Sequence, residues 1–191
     1  MRAAGVREKI ERAAIELFAA NGIDGVSIGE IAGAAGVSQG ALYRHYASKE
    51  ELGWTLFSTA YLRAGAELDS IRAGLTDYRA RIAAMVAHFC ALYDDDPALF
   101  RFMLLAQHGF LPRIGARQRT PVSAVVDAVS DAVAAAEVAP VDPDAAAAAV
   151  LGIVLQTAVF HIYGRMRGLL SARAPALTRA ALAAVSALAG A

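Results

Sequence analysis

Residues 27–49 read SIGEIAGAAGVSQGALYRHYASK, and this stretch decides the fold. Ser27 followed three residues on by Glu30 is a capping box that opens a helix. Ile28, Ile31, Ala32 and Ala35 supply that helix with a buried face. Gly36 allows a tight turn, Val37 plugs it, and Ser38 caps a second short helix. Ser48 with Glu51 repeats the box and opens a long helix near Lys49. Two short helices joined at a glycine are the layout of a helix-turn-helix, whose second helix enters the DNA major groove. With Ser38 at the N-cap, Gln39, Gly40, Tyr43 and Arg44 share one face, while Leu42 and Tyr46 turn toward the first helix. The open face suits nucleic acid. Gln39 can bond adenine through two atoms and Arg44 guanine likewise, and Gly40 lets backbones approach. Tyr43 and His45 can donate to phosphate oxygens. Ser27 and Lys49 sit at helix N-termini, where exposed N–H groups already favour phosphate.

Outward from this stretch the chain reads as helix throughout. Ile10, Ala13, Ala14, Leu17 and Phe18 form an amphipathic stripe, and Asn21-Gly22 predicts a left-handed stop. The long helix carries Leu52, Trp54, Leu56, Phe57, Tyr61 and Leu62 and is expected to end near Gly74. Further helix starts are expected at Thr76, Asp96-Pro97, Thr120-Pro121 and Asp142-Pro143, and a last helix at about Pro175 to Leu188. No alternating strand pattern of useful length occurs. The expectation is an all-α chain of about nine helices. A three-helix DNA-binding domain would occupy 1–54 and a helical effector-binding and dimerisation domain 55–191, with the boundary inside the long helix near Trp54.

Composition narrows the function. With 57% hydrophobic residues and 191 positions, the chain can bury a substantial core. The single Cys90 excludes an intramolecular disulfide framework and suggests a reducing compartment. The opening MRAAGVREKIERAAIELF holds no apolar run of leader length, so a cytoplasmic protein is expected. Ala145 to Gly164 carries no charge over the length of a membrane span. Its five successive alanines, two glycines, Gln156, Thr157 and His161 make it only weakly apolar, and it reads as a buried or interface helix with no membrane role. Within 1–54, six basic side chains (Arg2, Arg7, Lys9, Arg12, Arg44, Lys49) meet seven acidic ones, a net of −1. That argues against strong nonspecific DNA binding, which depends on phosphate contacts. It leaves specific binding open, with Glu8, Glu11 and Glu16 expected to face away.

These residues resemble the N-terminal domain of the TetR family of transcriptional regulators. The resemblance covers about residues 7–55, through ELFAANGIDGVSIGEIA, AGVSQGALYRHYASKEEL and the spacing between them. It implies that Ser27, Ser38, Gln39, Gly40, Tyr43, His45 and Lys49 match positions that touch DNA. Tyr46 stands where Phe is common, and Gly33-Ala34 where a basic residue is frequent. It also implies a ligand-responsive repressor: a homodimer that binds a palindromic operator on double-stranded DNA and is released by a small apolar effector. The alternative is a helical carrier or sensor of hydrophobic small molecules whose DNA binding is weak or lost.

Beyond residue 55 the motifs thin out. The helix from Pro143 to about Leu169 is apolar nearly all round, through Val150, Leu151, Val154, Leu155, Val159 and Phe160, and so needs neighbours on all sides. With the final helix it is expected to pair with its copy in a four-helix dimer interface. Candidate effector contacts are Phe57, Tyr61, Phe89, Phe102, Met103, His108, Gln156, Phe160 and His161, apolar groups with a few polar ones. Aromatic residues at helical spacing are more often core. Asp96 is read as an N-cap with Asp94 and Asp95 in a solvated turn, and Arg113, Arg117 and Arg119 as a solvated loop. His88 and Cys90 point to different faces. There is no zinc spacing, no phosphate-cradling glycine loop and no paired acid/base constellation. Neither a metal, a cofactor nor an enzymatic activity is expected.

Overall fold

The computed structural model describes residues 5–189, and among these there are nine α-helices, two short 3₁₀ turns and no strand. In order they are α1 (Val6–Asn21), α2 (Ile28–Ala35), α3 (Gln39–Tyr43), α4 (Lys49–Gly74), α5 (Tyr78–Asp95), α6 (Pro97–Phe110), α7 (Pro121–Ala134), α8 (Pro143–Ile162) and α9 (Ala174–Leu188). The chain divides into two compact units. One holds the residues up to Tyr61 together with Pro97–Gln118; the other holds Leu62–Asp96 and the residues from Arg119 onward.

The first unit is built on the stripe of α1. Ile10, Ala14 and Phe18 are fully buried with Ile31 of α2, Leu42 of α3, and Leu52 and Phe57 of α4. A segment distant in sequence completes this core. α6 packs along α1, and Phe102 stacks on Phe18 with ring centroids 5.7 Å apart. Phe110, at the end of α6, meets both Trp54 (5.8 Å) and Phe57 (5.5 Å). α1 ends differently from expectation. Gly22 has φ 74° but ψ 165°, outside the left-handed helical region, so the chain leaves α1 in an extended glycine conformation. The turn at Gly36 is left-handed as expected, with φ 66° and ψ 35°.

In the second unit, α8 and α9 pack on each other, α7 on α8, and α5 on α9. Ile82, Met85, Val86, Ala128, Val154 and Ala181 form its buried centre. α5 is capped by Asp77, not Thr76: the Asp77 carboxylate accepts from Ala80 N at 2.7 Å. The neighbouring carbonyls are taken by Arg81, a buried cation whose guanidinium donates to Leu75 O (2.8 and 3.1 Å) and to Thr76 O and Ala128 O (both 3.4 Å). α8 stops at Ile162, short of the expected Leu169. Gly164 turns the chain at φ 69° and Arg165 N donates back to Phe160 O at 2.9 Å. Asp94 is not in a solvated turn. Its carboxylate accepts from Leu170 N (2.8 Å) and Ser171 N (2.9 Å) and holds the segment after α8. α8 is also the one described helix long and apolar enough to cross a membrane, with a mean hydropathy of 1.9, and 39% of that stretch is buried within the fold.

Candidate nucleic-acid interface

Both capping residues of the helix-turn-helix act as the sequence indicates. Ser27 Oγ accepts from Glu30 N at 3.2 Å and donates to the Glu30 carboxylate at 2.7 Å, which also accepts from Ser27 N at 2.7 Å. The backbone N–H of Ser27, then its hydroxyl, hold the Glu30 carboxyl below its ordinary range. Ser38 Oγ accepts from Ala41 N at 3.1 Å and starts α3. The second box is altered: Ser48 Oγ accepts from Glu51 N at 3.0 Å, but the Glu51 carboxylate takes Ala47 N (2.8 Å).

α3 is only five residues long, so its orientation depends on what lies beneath it. Ala41 and Leu42 are buried against the core. Tyr46 lies at 4% exposure, and its hydroxyl donates to the Glu11 carboxylate of α1, which also accepts from Arg7 Nε at 2.8 Å. Burial first, then the hydrogen bond to Glu11 and its charge, push the Tyr46 hydroxyl up to about 12, so it remains a donor. Glu11 therefore turns inward and pins the end of α3, contrary to the expectation that it faces away. A tyrosine in place of phenylalanine is what makes this tie available.

With its underside fixed, α3 presents Gln39, Gly40, Tyr43 and Arg44 to solvent, and His45 follows in the same exposed run. Tyr43 is 52% exposed, a large aromatic side chain open to solvent. Lys49 is half-buried and engaged: Nζ donates to Val26 O at 2.7 Å and reaches Asp24 O at 3.5 Å. It ties the α1–α2 loop to the start of α4. Ser27 and Gln39 approach one another across Gly29, beside the first turn of α2.

The residues singled out for an effector fall in both units. Phe57, Tyr61, Phe102, Met103 and His108 belong to the first unit, and Phe89, Gln156, Phe160 and His161 to the second. Phe57 and Phe102 are at most 1% exposed and serve the first unit's core. Tyr61 stacks on Phe57 (5.2 Å), Met103 packs on the same cluster, and His108 is exposed. In the second unit Phe89 is buried, while Gln156 and Phe160 are exposed on α8. His161 is buried with its ring 5.7 Å from Tyr93, and its Nε2 has no hydrogen-bond partner among the described residues. Each unit carries an open cleft. One of about 790 Å³ lies between α1 and α6, lined by Phe18, Arg101, Phe102 and Leu105; one of about 450 Å³ is lined by Tyr78, Arg79, Glu137 and Leu182.

The remaining polar groups have structural roles. Arg113 is not simply solvated: its guanidinium lies 4.3 Å from the Trp54 ring centre and pairs with Glu50 at 3.2 Å. Arg119 pairs with Asp127 at 2.7 Å. His88 Nε2 meets Glu67 at 3.1 Å, away from Cys90, whose thiol burial pushes up to about 11. No group of three potential metal ligands occurs among the described residues.

A short, capped helix held on a three-helix base, with its polar and aromatic face open, defines a helix-turn-helix protein. Residues 10–52 match the model of the family described as "Bacterial regulatory proteins, tetR family". The match covers the helix-turn-helix segment, which is similar to the DNA-binding part of TetR-family regulators. It is 42% identical over 78 residues to the transcriptional regulator MftR of Mycobacterium tuberculosis, a match covering 41% of this chain and 39% of that one. It is 30% identical over 122 residues to the HTH-type transcriptional activator FasR of Mycolicibacterium smegmatis, covering 62% and 54%. The chain thus matches about two fifths and about half of these two relatives. The fold extends across nearly the whole chain: the regulator FadR of Bacillus subtilis, solved in complex with stearoyl-CoA, superposes with a TM-score of 0.75 at 17% identity, over 93% of this chain and 98% of that one.

Proposed function

We propose that the chain is a cytoplasmic, ligand-responsive transcriptional repressor that binds a palindromic DNA operator as a homodimer. The carrying observation is the open face of α3, with Gln39, Tyr43, Arg44 and His45 exposed above a buried Leu42 and Tyr46, inside the segment that matches the family. In this reading residues 1–54 read DNA: Tyr43, His45, Ser27, Ser38 and Lys49 meet phosphates, and Gln39, Gly40 and Arg44 face base edges. Residues 55–191 bind the effector and dimerise. Support for the dimer comes from α8 and α9. Gly152, Gln156 and Phe160 lie exposed at helical spacing on α8, and Ala180, Ala183 and Ala187 on α9. A second copy of these two helices would cover those faces, including Phe160 at 43% exposure. A dimer that reads a palindrome needs its two α3 helices about one DNA turn apart, or a multiple of it.

The effector is proposed to be a small apolar molecule, with a long acyl chain the leading class. The fold shared with a stearoyl-CoA-bound regulator supports that class, and the unpartnered Nε2 of buried His161 supports a polar anchor in the second unit. The ligand need only prefer the conformation with its two reading helices splayed.

A mobility-shift assay on the DNA upstream of its own gene tests this, with Tyr43→Ala as control and stearoyl-CoA as the trial effector. The expected result is a salt-sensitive shift at a palindrome, lost in Tyr43→Ala with the dimer intact, and weakened by the acyl compound. No shift at any nearby palindrome would favour a carrier of hydrophobic ligands. A monomer at micromolar concentration by light scattering would remove the dimer.

A further inference from the structure

Gly29 occupies the first turn of α2, where a glycine is a poorer helix former than alanine. Nothing in the backbone asks for it: its φ is not positive, and the Ser27–Glu30 cap is formed by its neighbours. What the missing Cβ provides is space. A Cβ placed there would lie 3.1 Å from Gln39 Nε2 and 4.0 Å from Gln39 Cδ, with Ser27 Oγ at 3.8 Å and no backbone atom nearby. The one group that a larger residue would displace is therefore the end of the Gln39 side chain, which comes from the other helix of the motif.

We infer that Gly29 is a specificity-determining residue: by lacking a side chain it lets Gln39 lie back over α2 and present its amide in one fixed pose to the bases. The inference rests on the proposed DNA-binding function. A glutamine that reads adenine must satisfy two hydrogen bonds at once, and each tolerates only a few tenths of an ångström in length. A Cβ at position 29 forces the amide to give by that amount. Because the displaced atom is the tip of an exposed side chain, the helices themselves need not move. Gly29→Ala should thus change sequence preference without harming the fold. Gly33, in the same helix, has nothing within 4 Å of its would-be Cβ and serves as the matched control.

The test selects bound sequences from a randomised duplex pool, using the full dimeric chain as wild type, Gly29→Ala, Gln39→Ala, the double variant and Gly33→Ala. Wild type is expected to show a preference at one base pair per half-site that Gln39→Ala erases. Gly29→Ala should weaken that same preference about tenfold, on the scale of one lost two-bond base contact. Melting temperatures should be unchanged or raised, Gly33→Ala should keep the wild-type preference, and the double variant should match Gln39→Ala. Preference within twofold of wild type in Gly29→Ala overturns the inference. So does an equal effect of Gly29→Ala with and without Gln39. A wild-type chain that enriches no sequence overturns the regulator reading itself, and the inference with it.

Discussion

Replacing Lys49 by methionine keeps the methylene stem and removes the ammonium, and its effect on stability can be worked from three terms. The bond from Nζ to Val26 O, at 2.7 Å, is short and charge-assisted; the approach to Asp24 O, at 3.5 Å, is marginal. A hydrogen bond from a charged donor contributes roughly 1.5–3 kcal/mol, and the half-exposed setting puts this one at the low end. Against it, Lys49 is the first residue of α4, where the helix dipole disfavours a cation by about 0.3–1 kcal/mol. The net loss for Lys49→Met is therefore about 1 kcal/mol. With a urea slope of roughly 2 kcal/mol per molar, the midpoint falls by about 0.5 M. Trp54, the single tryptophan, lies in the same compact unit, so its fluorescence follows the affected structure directly. An unchanged midpoint would refute the strut. The same variant separates the roles of Lys49 toward DNA. If the ammonium also neutralises a phosphate, the log–log salt slope of binding drops by about 0.9 per subunit. If it only holds the loop, affinity falls at constant slope.

Phe102→Ala removes a ring at 1% exposure that stacks on Phe18, and should cost roughly 3–5 kcal/mol in a Trp54-monitored melt. Lost effector response at unchanged stability would instead make Phe102 a ligand contact. Gly33→Ala, with open space around its Cβ, should stabilise by about 0.5–1 kcal/mol. Gly65→Ala puts a Cβ 2.5 Å from Arg119 O and should destabilise by roughly 1–3 kcal/mol or more, so thermal shifts of the same sign would be wrong. Burial opposes ionisation of Asp94, but the Ser171 hydroxyl and the Ser171 and Leu170 amides outweigh it and lower its carboxyl below the ordinary value. Its contribution to stability is therefore complete above the unfolded carboxylate range, near pH 4, and is lost as pH falls through the lower folded value. Asp94→Asn should melt lower at pH 7 and lose less stability than wild type on acidification to pH 3; parallel curves would exclude the role. The Cys90 thiol, pushed up to about 11, should resist a disulfide reagent at pH 8 until the protein unfolds.

The local code of the first unit was readable. Capping at Ser27 and Ser38, the Gly36 turn and the stripe from Ile10 to Phe18 depend on residues three or four apart, a range over which periodicity works. What stayed hidden were contacts between distant segments. α6 was recognisable as a helix from Asp96-Pro97 onward, but nothing in its own pattern says that Phe102 packs on Phe18 of α1. The effector candidates divide between the two units for the same reason: a list of aromatic residues carries no information about which core each one fills. The tie from Glu11 to Tyr46 spans thirty-five residues, and a hydroxyl beside a carboxylate is visible only once the chain is folded. Asp94 and Arg113 likewise read as solvated in the sequence because their partners are remote backbone groups or rings.

This hidden layer changes the meaning of the charge count. Seven acidic residues in 1–54 give that segment its net −1. Six of their carboxylates are engaged. Glu8 accepts from Gly5 N, Glu30 from Ser27 N and Glu51 from Ala47 N, each at the N-terminal end of a helix. Glu11 takes the Tyr46 hydroxyl and Arg7, Glu16 pairs with Arg12, and Glu50 with Arg113. A carboxylate on helix-terminal amides is offset by the positive end of the dipole, so the potential near the reading face is less negative than a sum of formal charges implies. The basic side chains Arg7 and Arg12 are consumed in the same pairs, which removes them as phosphate partners. Both signs are spent on fixing α1, α2 and the end of α3. The surface left for DNA is then a rigid arrangement of polar and aromatic groups with few mobile cations. Such a surface gains little from long-range attraction and much from being correctly placed twice, once in each subunit.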